Sequence, residues 1–123
     1  MAKGDELEER LIDFAARVLK LCAALPRTQA GHHVAGQLLR SGTSPAANYA
    51  EARAAESRKD FVHKLKIALK EMNETHTWLR ILTRSDMVPE QKLTDLSAEC
   101  VALCKILNAS ITTTTANKRR RTH

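Results

Sequence analysis

FVHKLKIALKEMNETHTWLRIL, residues 61–82, decides the fold of this chain. Within it Phe61, Leu65, Ala68, Met72, Thr75, Leu79 and Leu82 recur at alternating spacings of four and three, which stacks them on one face of an α-helix. Beside that stripe runs another at the same spacing, Ile67, Glu71, Glu74, Trp78 and Ile81. One stripe seats a helix on a core, so two stripes predict a helix with neighbours on two sides, or a second copy of the chain on one of them. Ser57, three residues ahead of Asp60, is placed to cap its start in a near capping box with Asp where Glu is usual.

Working outward, the same spacing recurs on both sides. Leu7, Leu11, Phe14, Val18, Leu21 and Leu25 form a core-facing stripe that Pro26 should end. The acids before it favour a helix N-terminus. A second segment from about Thr28 to Ala54 carries Val34, Leu38, Ser41, Pro45, Asn48 and Ala52, a stripe that turns small and polar after Leu39. Gly42, Ala46, Ala47 and Ala50 suit close helix approach, and Pro45 predicts a kink or a restart capped by Ser44. Downstream, Ser85 to Val88 read as a turn, Pro89 suits a first helical turn, and Leu93, Leu96, Cys100, Leu103 and Leu107 renew the heptad. Four amphipathic segments with short connectors predict an all-α, antiparallel up-down-up-down four-helix bundle over residues 1–112. The run Thr112 to Thr115 has poor helix propensity, so residues 113–123 read as a flexible basic C-terminal tail.

Composition agrees. Aromatic residues make up 3% of the 123, which disfavours a sheet protein. No apolar run spans a bilayer, the first ten residues are acidic, and three cysteines form no disulfide framework, which together point to a cytoplasmic protein without a membrane role. The net charge of +6 sits largely in Lys118, Arg119, Arg120 and Arg121, without which 16 cations face 14 acids. Those four are the candidate nucleic-acid contacts, with RNA the first expectation and DNA the second. The stretch from Arg27 to Arg84 adds ten basic residues against five acidic ones.

Catalytic and metal motifs do not emerge. Cys100 and Cys104 share a helix face but lack a second Cys/His pair, and no Glu-x-x-His occurs for a di-iron site. Glycine-rich phosphate loops and a serine elbow are missing too, so no metal, no cofactor and no enzymatic activity is expected. Polar residues on helix faces stand out instead: Asn48 and Glu51 on the second helix, Glu71, Glu74 and Thr75 on the third. Enclosed carboxylates need partners, and Arg40, Lys70 and Asn48 supply them by type, with Trp78 N–H seeking an acceptor nearby. Arg40, Asn48, Glu51, Lys70, Glu71, Glu74 and Trp78 are therefore the expected polar network between helices or subunits.

QLLRSGTSPAANYAEA (Gln37 to Ala52) and KDFVHKLKIALKEMNETHTWLRIL (Lys59 to Leu82) resemble the four-helix-bundle proteins encoded in intervening sequences of 23S rRNA genes. The resemblance spans residues 7–111. It implies a bundle that assembles into a ring, commonly a pentamer, with no established enzymatic activity. A related accessory protein of diversity-generating retroelements, also a pentameric bundle, binds nucleic acid and a reverse transcriptase. Pro45 departs from the family pattern, where a branched aliphatic residue is common, and the basic tail is this chain's own. Two functions follow as expectations: an oligomeric module that binds nucleic acid, or a protein-interaction or structural assembly module that does not.

Overall fold

The computed structural model describes the backbone of residues 4–122 and the side chains of residues 4–117. Four helices follow one another: α1 Asp5–Ala24, α2 Gln29–Arg53, α3 Arg58–Ser85 and α4 Gln91–Thr122. Among the described residues there is no strand.

Local chemistry sets the corners. Asp5, Glu6 and Glu8 occupy the first turn of α1, where the helix dipole favours negative charge. At the α1–α2 corner Thr28 caps α2 by accepting from Gly31 N at 3.0 Å. That corner admits only glycine at position 31, because a Cβ there would lie 1.9 Å from the Pro26 carbonyl oxygen. Ser57 caps α3 through its hydroxyl, which accepts from Asp60 N at 3.0 Å. α3 ends on Asp86 in the left-handed region at φ 57, a conformation that a short polar side chain tolerates better than most.

Consecutive helices pack side by side and antiparallel. Along the α1–α2 seam Cys22 meets Ala35 near one end and Arg53 meets Glu8 near the other. Along α2–α3, Arg40 meets Glu71 and Lys64 meets Glu51. The α2–α3 contact is the most extensive and α1–α4 by far the sparsest, while the backbones of the diagonal pairs stand apart across the core. Leu11, Phe14, Val18, Leu38, Leu65, Met72, Leu79, Leu93, Leu103 and Leu107 are almost wholly buried in the shared interior, each contributing about 1.5–3 kcal/mol. At the α1–α2 crossing Gly42 lets the backbones close in, since a Cβ there would stand 2.8 Å from Val18 Cγ1 and Cγ2.

Two expectations change. Of the two outcomes expected at Pro45, a kink or a restart, the restart does not occur: the residue is buried inside one continuous helix. Ser44 caps nothing; its hydroxyl and carbonyl accept from Asn48 Nδ2 at 2.9 and 3.0 Å. Burial of the ring offsets part of the cost of its missing N–H. The fourth helix also does not stop at Thr112: the backbone stays helical to Thr122. Thr114 and Thr115 donate their hydroxyls to the carbonyls of Ser110 and Ile111 at 2.8 and 2.9 Å, so the threonines bond within the helix, which continues despite their weak propensity. No helix is long and apolar enough to cross a membrane among the described residues.

Candidate functional site

The polar seam lies where the second stripe of α3 faces α2. Arg40 Nη1 donates to Glu71 Oε2 at 2.7 Å, Nη2 donates to Glu74 Oε2, and Nη2 also reaches Gln37 Oε1 at 3.3 Å. Glu74 Oε2 accepts in addition from Trp78 Nε1 at 3.1 Å, and the Trp78 ring meets His33 edge-on, centroids 5.7 Å apart. One guanidinium thus binds two carboxylates spaced three apart on the neighbouring helix. Partial desolvation works against the charge on Arg40, but the two carboxylates outweigh it and hold its pKa above the ordinary value. The Arg40 side chain is 49% exposed and Glu71 only 17%, so the clasp lies at the surface with Glu71 tucked inward.

Of the residues expected in this network, Arg40, Glu71, Glu74 and Trp78 come together. Asn48 bonds within its own helix. Glu51 crosses the same seam but takes Lys64 Nζ at 3.1 Å. Lys70 stands exposed on the outer face of α3, away from the seam. The side chains of Lys118, Arg119, Arg120 and Arg121 lie outside the described residues.

Sequence reasoning missed three arrangements. Ser41 and Thr75, both wholly buried, face each other with their hydroxyl oxygens 2.9 Å apart; the signal was a polar residue at a core position in each stripe. Arg10 grips Glu99 with two bonds, Nη2 to Oε1 at 2.7 Å and Nε to Oε2 at 3.1 Å, across the sparse α1–α4 seam. Arg53 meets Asp5 at 2.7 Å and Glu8 at 3.2 Å, tying the end of α2 to the start of α1. The sequence carries no local mark of these last pairs.

At the end of the bundle where α3 starts, Arg58, Lys59, Val62, His63 and Lys66 form a shallow groove with Thr114 and Thr115 of α4. The helical backbone of α4 then continues through positions 118–121. Cys100 donates to the Met72 carbonyl at 3.4 Å, and its contact with Cys104 together with burial pushes its thiol pKa up. Among the described residues, no group of three or more His, Cys, Asp or Glu is arranged to hold a metal ion.

Residues 6–109 match the family described as 23S rRNA-intervening sequence protein. Among solved structures, a protein of unknown function from the S23 ribosomal protein family of Bacteroides thetaiotaomicron VPI-5482 is 37% identical and superposes with a TM-score of 0.80, covering 85% of this chain and 97% of its own. No curated protein matches the chain.

Proposed function

The chain belongs to the 23S rRNA-intervening sequence protein family, and from that premise we propose that it is a non-catalytic, self-associating bundle that binds nucleic acid, RNA first. The observation that carries this reading is the end groove. Arg58, Lys59 and Lys66 line it, and α4 emerges beside it as a helical stem whose next turns hold Lys118, Arg119, Arg120 and Arg121. The groove supplies three cations, and the backbone of α4 leads from it into the stretch of sequence that holds four more, on a body that is otherwise nearly balanced. If all seven engage a single strand, the logarithmic salt slope is about −5, and a threefold rise in salt weakens binding roughly 200-fold. A filter-binding titration of an RNA oligonucleotide tests this, with and without residues 118–123. Retention that falls steeply with salt and with the deletion supports the reading; no retention at low salt, or retention indifferent to both changes, defeats it.

A second reading, an assembly or protein-interaction module without nucleic acid, draws on exposed apolar side chains. Ile12, Leu19 and Leu39 are 46, 50 and 43% exposed, and the α1–α2 register brings Leu19 level with Leu39. Ile81, 43% exposed, lies apart on the second stripe of α3. A head-to-tail ring requires two unlike contact surfaces, and these exposed side chains lie on two different faces. Light scattering should then give a multiple of 13.7 kDa that Leu19→Glu with Leu39→Glu reduces to one copy. A strict monomer at micromolar concentration would end the ring proposal. A partner captured from lysate that survives nuclease would favour the protein-only role over the first reading.

A further inference from the structure

The outermost stripe of α3 differs from the rest of the surface. Lys59, His63, Lys66, Lys70, Asn73, Thr77, Arg80 and Arg84 follow one another at spacings of four and three, and every one is exposed. At 1.5 Å per residue the line from Lys59 to Arg84 is about 38 Å long. It holds five permanent cations and no acid. The acids of α3 are all elsewhere: Glu71 and Glu74 bind Arg40 of α2, and Asp60 sits on the same stripe as Lys64, which binds Glu51 of α2. An ordinary solvated helix face mixes both signs. Here the signs are sorted, and the like charges repel one another with no acid between them.

The neutral residues on the stripe narrow the partner. The ridge carries no Phe, Tyr or Trp, its one ring being the lone imidazole of His63, and Trp78 is turned toward α2, bonded to Glu74 and packed on His33. Without a stacking platform the ridge does not favour splayed single-stranded bases, which bind through such rings. It suits a partner whose phosphates are outside and whose bases are already stacked. Between the cation pairs Lys66, Lys70 and Arg80, Arg84 lie Asn73 and Thr77. Asn73 Oδ1 accepts from the Cys104 thiol at 3.4 Å, which leaves its amide N–H groups for a ligand. Thr77 donates to the Asn73 carbonyl at 3.3 Å, which leaves its oxygen to accept. A donor and an acceptor flanked by phosphate-binding cations match the ribose hydroxyls on the wide, shallow minor groove of A-form RNA.

We propose that the outer face of α3 is a docking ridge for double-stranded RNA, read by shape and backbone rather than sequence. This rests on the nucleic-acid reading above, carries its contact surface beyond the end groove along the length of α3, and assigns the strand state. The test is fluorescence anisotropy of the full chain with a 20-base-pair RNA duplex, the DNA duplex of the same sequence, and one RNA strand alone. Lys70→Gln with Arg80→Gln removes two ridge charges that lie outside the end groove. Arg17→Gln with Lys20→Gln removes two exposed charges from α1 and keeps the net charge equal, and circular dichroism checks that both variants are folded. The RNA duplex should bind tightest. The ridge variant should lose about 60-fold affinity at 0.1 M salt and flatten the salt slope by about 1.8, while the α1 variant stays within about twofold of the parent. A ridge variant no weaker than the α1 variant overturns the ridge. Equal or tighter binding of the DNA duplex or the single strand overturns the duplex-RNA assignment. If the intact chain binds none of the three at low salt, the broader reading falls with it; if only loss of residues 118–123 abolishes binding, the end site stands and the ridge does not.

Discussion

Thr75→Val tests how polar groups are accommodated inside the bundle. Thr75 Oγ1 lies 2.9 Å from both Ser41 Oγ and the Glu71 carbonyl, yet a hydroxyl has one proton. Both hydroxyls are satisfied when Thr75 donates to Glu71 and Ser41 donates to Thr75. Valine keeps the shape but removes the acceptor, so the Ser41 proton loses its partner across the seam, at about 1–3 kcal/mol. Ser41→Ala costs less, about 1 kcal/mol, because Thr75 keeps its bond to Glu71. The double variant leaves no stranded hydroxyl and should cost little more than Ser41→Ala alone, giving a coupling energy of about 1–2 kcal/mol. Urea unfolding followed by circular dichroism reads all four corners of the cycle. For a chain of this size 2 kcal/mol lowers Tm by about 6–10 °C. A Thr75→Val variant within about 0.5 kcal/mol of the parent, or two single costs that simply add, would refute the reasoning.

Other perturbations follow from the same geometry. Pro45→Ala restores an N–H and relieves about 3 kcal/mol of helix cost while losing about 1.6 kcal/mol of buried ring carbons, so urea unfolding should show a gain of about 1 kcal/mol. Gly31→Ala drives a Cβ into the Pro26 carbonyl, and the thermal transition should be lost or lowered by about 10 °C or more. Glu99→Gln weakens the paired bonds from Arg10 and should cost about 0.5–1 kcal/mol, an effect that shrinks in high salt because the pair is partly exposed. Burial raises the pKa of Cys22 and Tyr49. The unfolded chain therefore loses these protons first, it binds fewer protons than the folded chain, and stability should fall as pH rises above about 8.5 for the thiol and about 10 for the phenol. Tyr49→Phe with Cys22→Ala should lessen that alkaline decline in unfolding curves measured from pH 8 to 11, leaving the share due to Cys100, whose thiol is raised as well.

The heptad stripes were legible because burial on a helix leaves a periodic trace in one dimension. Leu65, Met72 and Leu79 fall where the spacing puts them, and Ser57 and Pro26 mark boundaries by local chemistry. The Arg40 clasp was half legible: Glu71, Glu74 and Trp78 share a stripe, so any basic residue facing that stripe would serve. Lys64 and Lys70 could not be told apart, because one step of helix rotation decides which of two lysines faces α2 and which faces water. Arg10 with Glu99 joins residues 89 apart, and nothing in sequence encodes the relative rotation of first and last helices. The restart weighed at Pro45 does not occur although proline costs about 3 kcal/mol in a helix, because burial along the whole of α2 can supply more, and the Thr112 to Thr115 run stays helical because its propensity deficit is under about 1 kcal/mol per residue.

The narrow α1–α4 seam has its own bearing on motion. With three broad seams and one sparse one, the molecule is closer to a curled sheet of helices than to a sealed barrel, and the Arg10–Glu99 pair acts as its latch. Amides of α1 and α4 should therefore exchange with solvent sooner than those of α2 and α3, through openings far smaller than global unfolding. Breaking the latch should speed that exchange on both flanks while leaving the middle pair of helices as slow as before.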